Sequence, residues 1–297
     1  MAEVETIRAE ASKENSIRQP SLWKTTDPVP LTRQSFLNLL AGRTPLVKIP
    51  NFISSEQSTA LFNHLSPAFT PYLHATGPAV EKVGIAQFEF QAQSQSDFHS
   101  RMGDEKDRYF AAASQLQSFH SSLASVTDTN LLDEFLATIR PLVPEWDVDI
   151  ATEPDGRRYF AGIFRKINGG TPIHCDWCPY DCLTEDWILS KVTCQAVFNL
   201  YLSETDGGET TVYDTQWSEE ALKFRDEETY GYGSGLVEGR QKVTFKPRKR
   251  ELWLFNSRNM HEVAPVKGES MRVAMASFMG LLPAEVTGGR PRLMFWS

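Results

Sequence analysis

Residues 171–180, TPIHCDWCPY, gather a histidine, an aspartate, two cysteines and two aromatics within ten positions. Read as a strand, the stretch sends His174 and Asp176 to one face and Cys175 to the other, because side chains alternate along extended backbone. The two backbones then lie about 6.5 Å apart, close enough for an imidazole and a carboxylate to converge on one ion. A third donor is available in His261, 85 residues after Asp176, where the strand-like HEVAPV begins.

Two histidines and one carboxylate on a single face leave open positions on an octahedral ion. That is the donor set of non-haem Fe(II) oxygenases, whose free positions take co-substrate and dioxygen. A dicarboxylate co-substrate chelated at one end needs a cation at the other, since an unpaired carboxylate inside an apolar barrel is costly. Arginine offers a two-pronged fork for it. Arg272 lies 11 residues beyond His261, across the KGES turn, and a hairpin would make the two positions neighbours on opposed strands.

Each of these residues alone fits an ordinary strand position; the order H-x-D, DGGET, His and then Arg is what favours a metal centre. Asn199, in FNLYL, either hydrogen-bonds the co-substrate carboxylate or faces its sheet partner. Phe88, Phe90, Arg165, Trp177, Trp217, Tyr230 and Tyr232 fall on stretches that could line a substrate pocket, with core packing an equal explanation for the aromatics. His64, His74, His99 and His120 have no partner at ligand spacing and read as structural. Cys175, Cys178, Cys182 and Cys194 lack the paired C-x-x-C knuckles of a zinc ribbon and read as buried free thiols.

These side chains need a scaffold. The chain has 297 residues, 41% hydrophobic and 23% charged, and can bury a self-sufficient core. A formal net charge of −8, with KPRKR at 246–250 as the lone basic cluster, argues against nucleic acid as a partner. No apolar run approaches the ~20 residues of a membrane span, and a cytoplasmic protein is expected. Residues 1–25 read as a flexible arm, and 26–297 as one domain. Helices are expected over 53–65, 104–126 and 130–139, and strands over 45–52 and, by period two, 83–93. After PDG at 154–156, eight strand-like stretches follow: 157–167, 171–177, 193–202, 209–214, 241–247, 251–256, 261–266 and 272–282. The expected fold is α+β and mainly β, a double-stranded β-helix or jelly roll packed on N-terminal helices. The segment 215–240, charged and then Tyr/Gly-rich, reads as a lid over one end.

HCDW, GGETTVYD, LWLFNSRNMHEV and MRVAMASFMGLL resemble the Fe(II)/2-oxoglutarate-dependent dioxygenases. More narrowly, the chain is similar to the hapalindole/welwitindolinone-type aliphatic halogenases and their hydroxylase relatives. The resemblance implies Fe(II) on His174, Asp176 and His261, 2-oxoglutarate clamped by Arg272, and dioxygen as oxidant. Succinate and CO2 would be released while a C–H bond of a small molecule is hydroxylated, desaturated or cyclised, in specialised metabolism. The halogenases carry glycine where this chain has Asp176, so the resemblance implies a hydroxylase here. Ala274 stands where many relatives have serine. A peptidyl hydroxylase, a non-catalytic metal-containing jelly roll and a zinc-stapled module are the competing readings.

Overall fold

The computed structural model describes residues 21–72, 80–91, 99–100, 103–182, 185–226 and 229–297. Its strands, in chain order, are β1 (Val29–Pro30), β2 (Val47–Ile49), β3 (Thr70–Pro71), β4 (Glu81–Val83), β5 (Asp147–Ile150), β6 (Ile163–Lys166), β7 (Thr171–His174) and β8 (Gln195–Tyr201). They continue as β9 (Asp206–Gly207), β10 (Thr210–Gln216), β11 (Lys242–Phe245), β12 (Leu252–Phe255), β13 (Asn259–Val263), β14 (Val266–Lys267), β15 (Val273–Leu282) and β16 (Arg292–Trp296). The larger sheet runs β1-β2-β12-β8-β15-β6-β4-β3, with β16 joining β15 to β5; the smaller runs β11-β10-β13-β7. Two mainly antiparallel sheets closing on a shared interior make the expected jelly roll.

Alternation along β8 decides which side chains enter that interior. Ala196, Phe198 and Leu200 point outward into a core shared with the helices Arg33–Leu40, Ser55–Leu65 and Leu131–Ile139. Phe198 lies against Phe135 with ring centroids 3.9 Å apart. The helix starts follow from sequence. Ser54 accepts from Gln57 N while Gln57 returns a bond to Ser54 N, and Asn130 Oδ1 accepts from Leu132 N and Asp133 N. Val197 and Tyr201 point inward and pack with Trp253 and Phe255 of β12 and with Val212, Val243 and Phe245 of the smaller sheet.

Each of the eight expected strand stretches after residue 156 overlaps a strand; β9, β14 and β16 add to them, and β5 lies before residue 156. The segment 83–93 is corrected, although its last two residues lie outside the described set. Gly84, at φ +108°, turns the chain, and Gln87–Phe90 forms a 3₁₀ turn, where period two had suggested a strand. The polar residues expected on the wet side, Gln87 and Glu89, are the buried ones. Glu89 pairs with Lys82 at 2.6 Å and accepts from Ala86 N, so a buried ion pair overrides the alternation. The helical stretch 104–126 also breaks, into Glu105–Ser114 and Phe119–Thr127. Of the expected N-terminal arm, residues 1–20 lie outside the described set, while Trp23 is buried. No helix among the described residues is long and apolar enough to cross a membrane.

Candidate metal centre and its surroundings

The turn NGG ends β6's excursion and lets β7 lie on β13: Gly170 has φ +77°, and a Cβ there would stand 2.4 Å from Val263 O. In the resulting register His174 pairs directly with His261, and their ring centroids are 4.2 Å apart. The strand stops at His174, short of the 171–177 expected. Asp176 converges because its backbone is tied to Ser257: Asp176 N donates to Ser257 O (2.9 Å), and Ser257 Oγ donates to Asp176 O (3.2 Å). The donor atoms of His174, Asp176 and His261 all lie within 4.8 Å of one another. Asp176 Oδ2 sits 3.3 Å from His261 Nε2.

Both imidazoles are oriented through the other nitrogen. His174 Nδ1 bonds Pro172 O and His261 Nδ1 bonds Asn259 O, each at 2.8 Å, which places the proton on Nδ1 and leaves Nε2 as the free donor. Burial, together with the neighbouring His261, drives the His174 pKa down to about 4. Burial pushes the Asp176 carboxyl up, but its contact with His261 and the electrostatic influence of His174, His261 and Arg165 outweigh it and hold the group below its ordinary range. At neutral pH the pocket therefore offers a neutral imidazole and an ionised carboxylate without first shedding those protons, the state a divalent cation requires. Two imidazole nitrogens and one carboxylate oxygen fit Fe(II), and the mixed hard and borderline donors leave the rest of an octahedron to exogenous ligands.

Arg272 is not the hairpin neighbour of His261 that the spacing suggests, since β13 belongs to the smaller sheet and Arg272 leads into β15 of the larger one. It spans the interior instead. Its Nε donates to Gly208 O (2.9 Å), and Nη2 donates to Tyr201 Oη and Thr210 Oγ1 (both 3.0 Å). Gly208, at φ +73°, is required here, because a Cβ would lie 2.8 Å from Arg272 Cδ. Among the described residues Nη1 has no hydrogen-bond partner, so a buried guanidinium is held rigidly with one prong unused. Asn199 lies on the same inner face, flanked across the strands by Trp253 and Ala276.

The pocket candidates divide. Arg165, on β6, lies on the inner face: its Nε donates to Tyr72 Oη (2.8 Å) and its guanidinium stacks 5.3 Å from the Phe278 ring centre. Tyr230 meets the His174 ring edge-on at 5.2 Å, and Phe255 meets His261 at 5.0 Å. Tyr232 belongs elsewhere. It is buried with Cys175 and Ile173 in a separate cluster, on the side of β7 opposite His174, under the Arg225 guanidinium. Strand alternation would put the two tyrosines on one face, but the chain bends over 229–231 and packs Gly231 against Pro172, which separates them. Trp177 is covered by Arg258, 4.8 Å from its ring, and that guanidinium bonds Trp217 O while Trp217 stacks on Tyr180 at 4.5 Å. Phe90 packs edge-on against Tyr109, and Phe88 is half-buried on the same 3₁₀ turn. The segment 215–240 continues β10 to Gln216 and then packs two 3₁₀ turns on the smaller sheet. It is pinned by Tyr232 N donating to Ile173 O (2.8 Å).

The four cysteines are free thiols; Cys178 and Cys194 are buried, and burial raises both. None joins the metal-compatible cluster among the described residues. His64 and His99 are exposed, His120 is buried, and His74 lies outside the described residues. Sequence reasoning missed Tyr201, Thr210, Tyr72, Phe255 and Phe278. Tyr201 was within reach as the i+2 neighbour of Asn199 on one face, whereas Tyr72, in TPYLH, carries no periodic signal.

A family model described as carrier-protein-independent halogenase WelO5 matches residues 81–287. Leucinostatins biosynthesis cluster protein S of Purpureocillium lilacinum is 30% identical over 225 residues, covering 74% of this chain and 86% of that protein. L-gamma-glutamyl-L-propargylglycine hydroxylase of Streptantibioticus cattleyicolor is 26% identical over 274 residues, covering 90% and 93%. Among solved structures, an N-substituted L-amino acid dioxygenase from Burkholderia ambifaria, crystallised with alpha-KG, shares the fold at a TM-score of 0.54 and 15% identity, covering 88% of this chain and 90% of that one. The matched span takes in all three donor residues and Arg272. The chain belongs to the carrier-protein-independent halogenase WelO5 family, and with it to the non-haem oxygenases that use Fe(II), 2-oxoglutarate and dioxygen.

Proposed function

We propose that this enzyme hydroxylates an unactivated C–H bond of a small molecule in specialised metabolism, with Fe(II) held by His174, Asp176 and His261. The observation that carries the reading is the convergence of two Nε2 atoms and a retained carboxylate within 4.8 Å. His174, Asp176 and His261 would hold the metal, and with Asp176 occupying the carboxylate place a halide would find no vacant ligand place beside a two-pronged 2-oxoglutarate. A family named for halogenation is thus represented here by a site suited to oxygenation. Two of the relatives point the same way, one named as a hydroxylase and one as a biosynthetic cluster protein.

Bound iron supplies dioxygen activation coupled to oxidative decarboxylation of 2-oxoglutarate to succinate and CO2. The protein's own contribution is positioning. The two Nδ1–carbonyl bonds fix the imidazole planes, and the Ser257 ties fix Asp176. Arg272, already bonded through Nε and Nη2, receives the distal carboxylate of 2-oxoglutarate on Nη1, with Asn199 as a second polar contact. Because the guanidinium is pre-ordered, little side-chain entropy is lost on binding. Tyr230, Phe255 and Phe278 form the apolar wall on which substrate lies, and Tyr230, the residue by which segment 215–240 reaches the His174 ring, helps keep water from the reacting carbon. Residues 26–297 act as one oxygenase domain.

The test is direct. Purified enzyme with Fe(II), 2-oxoglutarate, air and excess chloride is given a panel of γ-glutamyl dipeptides and N-acyl amino acids, and products are read by mass spectrometry. Products gaining one oxygen are expected. A product carrying the chlorine isotope pattern would overturn the hydroxylase reading.

A further inference from the structure

Two guanidiniums face the interior of this barrel, and 2-oxoglutarate needs one. Arg272 is bonded on three sides, whereas Arg165 makes a single hydrogen bond, to the Tyr72 phenol at 2.8 Å. Burial holds that phenol above its ordinary range, so it remains neutral and adds no counter-charge to Arg165. The neighbouring cation is already taken: Lys82, directly opposite Arg165 on β4, pairs with Glu89 at 2.6 Å. Among the described residues Arg165 forms no ion pair, and neither of its Nη groups has a hydrogen-bond partner.

The strand register places this second guanidinium relative to the first. Arg165, Ala274 and Tyr201 are Cα partners across β6, β15 and β8, and Tyr201 Oη is where Arg272 is anchored. Arg165 therefore stands about 10 Å along the sheet from the Arg272 anchor, two strand spacings away, with the small Ala274 between them. Its plane is fixed by the Tyr72 bond below and the Phe278 ring beside it, so it presents its fork in one orientation.

Charge balance names the occupant. On the proposed reading, on which this inference rests, the two charges of Fe(II) and the one on Arg272 are cancelled by Asp176 and the dianionic 2-oxoglutarate. Arg165 is then a surplus positive charge in a low-dielectric interior, a state that favours an anionic guest. We infer that Arg165, oriented by Tyr72 and Phe278, is the substrate anchor and that the substrate is a carboxylic acid, its carboxylate taken in two-pronged fashion by the Arg165 guanidinium. Anchoring at that point sets which carbon lies over the metal, because a fork-to-carboxylate pair fixes both distance and direction.

The experiment uses the full chain loaded with Zn(II) and 2-oxoglutarate, which binds without turning over. N-acetyl-L-amino acids and their primary amides are titrated in by calorimetry, against wild type, Arg165→Gln and Arg165→Lys. Acids binding wild type at least about tenfold more tightly than the matched amides, with that preference lost in Arg165→Gln and partly kept in Arg165→Lys, are expected. The 2-oxoglutarate affinity of Arg165→Gln should stay within roughly twofold of wild type. If no acid binds better than its amide, or Arg165→Gln keeps the preference, the anchor is refuted. A loss of 2-oxoglutarate affinity in Arg165→Gln would likewise refute it, by showing that Arg165 serves the co-substrate. Should Zn(II) fail to bind at all, the triad reading fails instead, and the metal-free protein carries the acid-against-amide comparison by itself.

Discussion

From the smaller sheet, β7 and β13 present two imidazoles and, one step past β7, a carboxylate; from the larger sheet, β6 and the start of β15 present two guanidiniums. Asp176 Oδ2 lies 3.3 Å from His261 Nε2, and no arginine lies within ion-pair distance of Asp176 among the described residues. Separation by sheet is what prevents a short circuit: a guanidinium beside Asp176 on the same strand would claim its oxygens and leave the metal too few donors. On the proposed function, the smaller sheet holds the cation and the larger receives the anions. The larger sheet has a second duty, since its outer face carries the apolar core against the helices.

Substitutions that cross this division should have the largest effect. His174→Ala, His261→Ala or Asp176→Ala should lower iron affinity by on the order of 100-fold or more and abolish succinate production, measured by metal analysis and by coupled turnover. Asp176→Gly should also end hydroxylation; unchanged turnover would show that the smaller sheet does not hold the metal through this residue. On the outer face of the larger sheet the cost is in stability. Phe198→Ala, which removes the ring packed on Phe135, should cost about 3–5 kcal/mol in chemical denaturation. The remaining folded protein should bind 2-oxoglutarate as wild type does.

His120, behind β6, makes a pH test of that same backing. It is buried neutral, with Nε2 against Ala161 O at 2.8 Å, and burial lowers its pKa to about 4. A depressed imidazole pKa means that the unfolded chain binds the proton more readily, so stability is fully present above the ordinary value of 6.5 and is lost as pH falls toward 4. The total is about 3 kcal/mol, and His120→Gln should flatten the stability profile across that window. Slightly smaller is the effect expected of Arg272→Ala: a loss of about 100-fold in 2-oxoglutarate affinity with iron affinity little changed. Equal losses of both would mean that the substitution disturbs the fold rather than an anion site.

The site was more legible than the route by which it is assembled. H-x-D, a later histidine and an arginine at +11 are a chemical pattern, and a donor set survives errors about the elements that carry it. The strand expected through Trp177 ends at His174, yet Asp176 still converges because Ser257 holds its backbone. Likewise Arg272 reaches the interior from the other sheet rather than from a hairpin beside His261. What alternation could not reveal were positions decided by long-range polar pairing. Glu89 and Gln87 are buried where period two exposed them, because Lys82 awaits Glu89 across a turn. Tyr72 meets Arg165 across 93 residues of chain, and Tyr230 takes the place beside His174 that Tyr232 was expected to share. Eight strands after residue 156 were readable because turn residues bracket them; β16 was missed because RLMFW at the C-terminus has no turn after it.

The most direct measurement is an anaerobic titration of metal-free protein with Fe(II) and then 2-oxoglutarate, followed in the visible range. The account predicts a charge-transfer band that requires both additions, is absent in His174→Ala, and in Arg272→Ala forms at much higher 2-oxoglutarate. No band in wild type, or an undiminished one in His174→Ala, would contradict the assignment of His174, Asp176 and His261 as the iron site.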